Sequence, residues 1–175
     1  MCAGLEIRAS DAGDLPALER LYRQTFPDED LFPLVRELLD ERADVVSLVA
    51  AADGSVAGHV VFTSCRVDGS PAGVALLGPL AVAPACQRRG VGGALVRAGF
   101  ARLREAGVAA LCVLGDPGYY ARFGFMEETQ IVPPYPLVAE WRTAWQGMRL
   151  GDPACTCSGR LIVPGPWQRP ALWAP

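Results

Sequence analysis

A chain of 175 residues, 51% hydrophobic and 20% charged, has the length of one ordinary globular domain. That composition excludes a disordered chain, a coiled coil and a small scaffold dependent on metals or disulfides. A net charge of −3 gives no electrostatic case for a nucleic-acid partner, and no apolar run reaches the roughly 20 residues of a membrane helix. The start, Met1 to Arg8, lacks the basic-then-apolar plan of a secretory signal, so a cytoplasmic protein is expected.

The predicted elements begin with a short strand at Leu5–Ala9, followed by a helix capped by Ser10 or Asp11 and running to about Phe26. Pro27 to Asp30 breaks it, and a second short helix places Leu31, Leu34, Leu38 and Leu39 on one side. Strands are predicted at Asp44–Ala51 and Val56–Arg66, joined by a hairpin turn, with a second turn at Asp68–Pro71. Val74–Val82 is nearly all apolar, the pattern of a central strand covered on both faces. Gly90 to Ala106 reads as a helix with Val91, Leu95, Val96, Phe100 and Leu103 in its buried stripe and Gly107 as its stop. Ala109–Leu114 is a short buried strand, Tyr119–Phe123 a helix of one or two turns, and strands are expected at Phe125–Val132 and within Trp141–Leu150. Eight of the 15 prolines lie from Pro133 onward, together with all four tryptophans, so this end should pack on the domain.

Two absences narrow the chemistry. All 16 basic residues are arginine, which rules out a phosphate loop ending in Gly-Lys, a Schiff-base lysine and a pyridoxal-phosphate site. His59 stands alone, so no multi-histidine zinc site can form, and its place in an alternating strand favours a structural role. The six cysteines form no Cys-x-x-Cys pair and read as reduced, packed thiols. Cys155-Thr-Cys157 is the sole candidate for redox or metal chemistry. No metal ligand is assigned.

The informative stretch is Leu80-Ala-Val-Ala-Pro-Ala-Cys-Gln-Arg-Arg-Gly-Val-Gly-Gly-Ala-Leu95. A buried strand ends, a tight loop follows, and a helix opens at about Gly90. The first amides of a helix have no internal partners and point outward with the positive end of its dipole. Gly90, Gly92 and Gly93 keep side chains away from those amides, and Arg88 and Arg89 add charge at the mouth. The residues therefore predict a cradle for a diphosphate. A dinucleotide-binding loop fits poorly, because Leu95 stands where its third glycine would fall and the strand is mid-chain.

Gln87-x-x-Gly90-x-Gly92 after Leu-x-Val-x-Pro is instead very similar to the acyl-CoA signature of the GNAT N-acetyltransferases. A second segment, Val113-Leu-Gly-Asp-Pro-Gly-Tyr-Tyr-Ala-Arg-Phe-Gly-Phe125, resembles the family's late motif in the wording of its bacterial YhbS-like subgroup. That likeness continues, more loosely, through Ile131–Pro136 and Gly159–Pro164. The resemblance implies an α/β (α+β) fold with a mixed, mostly antiparallel sheet of six to seven strands, flanked by helices and splayed at its centre to admit acyl-CoA. It implies a domain over 1–150, with 151–175 as a C-terminal extension packed on it. The backbone of Leu80, Ala81 and Val82 would bind the pantetheine arm, and Gln87, Arg88, Arg89, Gly90, Val91, Gly92 and Gly93 would form the pyrophosphate site. An amide near Val82 would polarise the thioester, and Tyr120 would protonate the departing thiolate.

The implied reaction transfers acetyl from acetyl-CoA to a primary amine of a small molecule or peptide, by direct attack in a ternary complex. Neither nucleic acid nor membrane is a partner in this reading, and a homodimer is left open. Plainer roles stand beside these: Arg88 and Arg89 as solvated surface, Tyr120 as a packing residue with Tyr119 as its decoy. Gly115-Asp116 departs from the asparagine that many such enzymes carry there. The base stays open among Glu29, Asp30, Asp116, Glu127, Glu128 and a chain of waters. Competing functions are a non-catalytic acyl-CoA sensor and a thiol- or metal-dependent protein.

Overall fold

The computed structural model describes residues 4–41, 44–152 and 156–175. Contacts divide the chain into two compact units, Met1–Phe62 with Gly78–Arg102 and Thr63–Leu77 with Leu103–Pro175.

In the first unit, β1 (Glu6–Ala9) pairs antiparallel with β2 (Val45–Ala52), Ala9 opposite Leu48. The strand order continues through β3 (Ser55–Val67) to β4 (Ser70–Val82), two strands that the units share. Asp53 (φ +50°) and Gly54 (φ +75°) are both left-handed, the requirement of a tight type I′ hairpin between β2 and β3. The predicted first helix opens instead as a single 3₁₀ turn, Ala12–Asp14, before α1 (Leu15–Thr25). The Asp11 carboxylate accepts from Gly13 N at 2.7 Å, and Asp14 reaches back to accept from Asp11 N at 2.9 Å. Arg8 forks onto Asp14 at 2.7 and 2.8 Å, tying β1 to that turn.

Helix α2 spans Phe32–Asp40. Leu18, Leu21 and Tyr22 of α1 and Phe32 and Val35 of α2 make one buried cluster with Val49 of β2 and Ala81 of β4. Helix α3 (Val91–Glu105) lies on β3 through two glycines. A Cβ on Gly58 would meet Val91 and Leu95 at 3.0 Å, and one on Gly99 would fall 2.1 Å from the Phe62 ring. The predicted stripe of Val91, Leu95, Val96, Phe100 and Leu103 is buried.

His59 is fully buried in this unit, with both nitrogens engaged: Nδ1 with Tyr22 OH at 2.9 Å and Nε2 with Ser47 Oγ at 2.8 Å. Ser47 in turn bonds Ser10 Oγ at 2.6 Å. Burial pushes the imidazole down to about 3, so it sits neutral in the core and serves packing, as its strand position predicts.

In the second unit, Val74–Leu77 of β4 runs parallel to Ala110–Val113 of β5 (Ala110–Leu114). Strand β5 pairs antiparallel with β8 (Trp145–Arg149), and β8 with β6 (Met126–Glu127). Between them lie α4 (Pro117–Tyr120) and a 3₁₀ turn at Ala121–Phe123. The strand expected over Phe125–Val132 is broken in two, β6 and β7 (Ile131–Val132). The cause is Glu128, whose carboxylate accepts from Gln130 N at 2.8 Å and Ile131 N at 3.0 Å and so turns the chain out of the ladder. The strand within Trp141–Leu150 forms only from Trp145, after a 3₁₀ turn at Ala139–Trp141.

One strand was not predicted: β9 (Gly159–Ile162) pairs with Arg66 and Val67 of β3 and with β7. Beyond it the tryptophans close the end of the chain. Trp167 Nε1 donates to Thr63 Oγ1 at 3.1 Å, and Trp173 Nε1 to Trp167 O at 3.1 Å. The Trp173 ring packs 5.9 Å from Trp145. Cys65, Cys112 and Cys157 are free and buried, Cys86 is free and half-buried, and Cys155 lies outside the described residues. Among the described residues no helix is long and apolar enough to cross a membrane. The architecture is the mixed, mostly antiparallel sheet with flanking helices that the resemblance implies, with nine strands among the described residues instead of six to seven, because β6 and β7 are short separate pieces and β9 adds a further one.

Candidate active site

The first unit carries the diphosphate candidate on one continuous run from β4 to α3. Ala83 N donates back to Ala57 O at 2.9 Å, so β4 stays attached to β3 up to its last residue. A 3₁₀ turn, Pro84–Cys86, follows, and Gln87 returns to extended backbone (φ −64°, ψ 155°). Arg88 is then left-handed at φ +58°, a conformation that costs a residue with a Cβ about 1–2 kcal/mol. Gly90 is left-handed too, at φ +85°. Left-handed residues on both sides of Arg89 are the kind of backbone from which anion nests are built. A Cβ added at Gly90 would meet nothing within 4 Å, so this turn borders open space.

Ala94 N donates to Gly90 O at 2.9 Å, closing the first turn of α3. The amides of Val91, Gly92 and Gly93 stand ahead of that bond and have no carbonyl of the helix to donate to. Val91 is buried and anchors the helix start, while Arg88 and Arg89 are exposed beside it. Chemically, this is a cluster of N–H donors at the positive end of a 15-residue helix with two guanidinium groups nearby. It can hold a doubly charged phosphate group without any metal.

The strand leading in is occupied by side chains. The carbonyl of Val82 accepts from Gln87 Nε2 at 3.1 Å and from Thr25 Oγ1 at 3.3 Å. Sequence reasoning named Gln87 but missed Thr25, since a threonine ending a helix carries no signal of what it meets across the fold. Leu80, Ala81, Val82 and Gln87–Gly93 thus come together in one unit.

Tyr120 lies in the second unit, at the end of α4 and 9% exposed. Its ring fills the space beside Gly115, where a Cβ would fall 2.4 Å from Tyr120 Cε2. A side chain at Gly115 would therefore require the Tyr120 ring to move. Phe125 and Tyr119 pack edge-on to the ring, with centroids 5.6 and 5.0 Å away. Burial pushes the phenol well above its usual 10, so it keeps its proton at any physiological pH. Tyr119 is instead covered by the Arg122 guanidinium at 4.5 Å.

Two of the candidate bases hold structural posts. Asp116 caps α4, accepting from Gly118 N at 2.8 Å. Burial raises the Glu128 carboxyl, but Arg149 at 2.7 Å and the amides of Ile131 and Gln130 bring it below the usual range. Glu29, Asp30 and Glu127 are exposed.

Residues 15–125 match the model of the Acetyltransferase (GNAT) family. The uncharacterized N-acetyltransferase YjhQ of Escherichia coli is 33% identical over 171 residues, covering 93% of this chain and 92% of the relative. Among solved structures, the E. coli GNAT family N-acetyltransferase YhbS in complex with CoA superposes with a TM-score of 0.84 at 31% identity. That match covers 94% of this chain and 92% of YhbS. A GNAT family acetyltransferase from Brucella melitensis in complex with acetyl-CoA gives a TM-score of 0.76 at 30% identity, over 94% of this chain and 98% of that one. With a glycine-rich helix start behind an apolar strand, a family match across both motifs and relatives alike over nearly the whole length, this chain belongs to the GNAT family of acetyltransferases.

Proposed function

We propose that this protein binds acetyl-CoA and transfers its acetyl group to the primary amine of a small molecule or peptide, by direct attack in a ternary complex. The observation that carries the reading is the turn from Arg88 to Gly93, left-handed at 88 and 90 and opening onto the free amides of α3. Those amides and both guanidinium groups would hold the pyrophosphate, and the β4 backbone at Leu80–Val82 the pantetheine arm. A backbone amide near Val82 would polarise the thioester carbonyl. Tyr120 is the proposed donor to the departing sulfur.

A CoA thiol resembles cysteine in acidity, near 8.5, so full transfer from a phenol held above 10 runs uphill. Tyr120 would therefore act chiefly by donating a hydrogen bond as charge builds on sulfur. A lysine-like acceptor has a pKa near 10.4 and must lose a proton before attack. With Asp116 and Glu128 engaged elsewhere, a chain of waters is the proposed carrier. We assign the enzyme to the cytoplasm, with 1–150 as its catalytic domain and 151–175 as an extension packed on it. The buried Trp167 and Trp173 support that packing.

Two measurements test this reading. CoA at 100 times its Kd should stabilise the fold by about 2.7 kcal/mol, seen as a raised Tm, while adenosine should not. Thiol release from acetyl-CoA across a panel of amines should depend on the acceptor. The chain has no lysine, so the enzyme offers no lysine side chain of its own as a competing acceptor. Equal stabilisation by adenosine would remove the cradle from the argument. Binding of CoA without release for any amine would favour the acyl-CoA sensor.

A further inference from the structure

Along β4 the backbone groups of successive residues alternate between the two edges of the strand. Ala83 N bonds Ala57 O on β3, and Ala81 O lies against Gly58 of β3, so both of these residues face that neighbour. Val82 between them presents its carbonyl to the opposite edge, the one an added strand-like ligand would pair with. The paired register of β4 with β5 covers Val74–Leu77, and β4 continues to Val82. A carbonyl oxygen has two lone pairs. At Val82 they are taken by Thr25 Oγ1 at 3.3 Å and Gln87 Nε2 at 3.1 Å.

We infer that the Gln87 carboxamide is a placeholder for an amide of the pantetheine arm, seated on the Val82 carbonyl until the arm displaces it. The inference rests on the acyl-CoA reading above and deepens it. The chemistry matches: Gln87 donates a primary amide N–H, and the arm offers secondary amide N–H groups of the same strength. Of the two donors, Gln87 is the mobile one. Its side chain is exposed and swings on three torsions, whereas Thr25 is half-buried at the end of α1. Because Gln87 directly precedes left-handed Arg88, a displaced carboxamide stays beside the Arg88–Gly93 turn.

The test compares two ligands that differ by the arm. Calorimetry would measure CoA and adenosine 3′-phosphate 5′-diphosphate, which keeps the pyrophosphate but lacks the arm, against wild type, Gln87→Ala and Gln87→Asn. Asparagine keeps the carboxamide but is one methylene too short to reach the Val82 carbonyl. Both variants should raise the ratio of CoA affinity to the affinity for the armless diphosphate about fivefold, the equivalent of one net hydrogen bond of about 1 kcal/mol. Faster CoA association in stopped flow should accompany the change. A ratio that stays at the wild-type value, or falls, in either variant overturns the placeholder while leaving the acyl-CoA reading intact. Failure of wild type to bind CoA overturns both.

Discussion

Arg88 joins strain and charge at one position. Its φ of +58° is a conformation glycine adopts freely, and its exposed side chain carries a positive charge next to the start of α3 in sequence. Arg88→Gly should leave stability unchanged or raise it by up to about 1 kcal/mol, as left-handed strain is relieved. The same change should weaken CoA binding about tenfold, the low end for a lost charge-assisted hydrogen bond. Thermal melts and calorimetry on one sample read both signs, and a loss of both stability and affinity would make Arg88 a packing residue. At Tyr120 the ring packs against Gly115 and Phe125, and the proposed chemistry needs only the hydroxyl. Tyr120→Phe should keep the circular dichroism and CoA affinity of wild type and lower kcat about 10²-fold. Tyr119→Phe is the control and should turn over like wild type. Since burial holds the Tyr120 phenol above 10, kcat should show no falling limb from this group up to about pH 10.

At the scale of the element, helix α3 bears on the cradle because its first turn is held by contacts further along the same helix. Propensity alone makes Gly99→Ala a stabilising change of about 1 kcal/mol in a helix interior. Packing decides the opposite sign: the new Cβ would lie 2.1 Å from Cε2 and Cζ of Phe62, so the ring or the helix must move. Gly99→Ala should therefore destabilise by about 1–3 kcal/mol. Adding Phe62→Leu should recover part of that loss, a coupling that denaturant unfolding of the two single variants and the double variant would detect. Simple additivity would show that α3 does not bear on β3 at this point.

For the whole molecule, pH stability has a window that one residue controls. His59 titrates near 6.5 when unfolded and near 3 in the core, so the unfolded chain binds the extra proton between those values. Its folded pKa is depressed, and stability is full above pH 6.5 and falls on acidification, by up to about 1.4 kcal/mol per pH unit. Arg8 holds the Asp14 carboxyl below its usual range, and Glu128 also lies low. Those two depressed groups contribute the same sign, but only once the pH falls through the ordinary carboxylate range. Between pH 6.5 and 5 the slope should thus belong to His59, and His59→Gln should flatten it in urea-unfolding free energies whatever it does to their absolute size. A slope kept by the variant would assign the effect elsewhere.

The signals that were local survived into the structure. The stripe of Val91, Leu95, Val96, Phe100 and Leu103 is a periodicity within one helix, and burial followed it. The Gln87–Gly93 run could be read because left-handed turns and open helix starts favour glycine, as at Gly90, and the family resemblance rested on the same residues. Features made by residues far apart in the chain left no mark. Thr25 meets the Val82 carbonyl across 57 positions, and Trp167 meets Thr63 across 104. Glu128 broke a predicted strand because its carboxylate outcompeted the ladder for two amides, a choice stabilised by Arg149 on another strand. Strand β9 is four residues of weak pattern whose partners, β3 and β7, lie far back in the sequence. Sequence by itself therefore determined most of the elements, the family and the glycine-rich start of α3, since each depends on neighbours along the chain. Tertiary structure alone decided which side chains meet the Val82 carbonyl and which ring stands beside Gly115, since both depend on side chains brought together by folding.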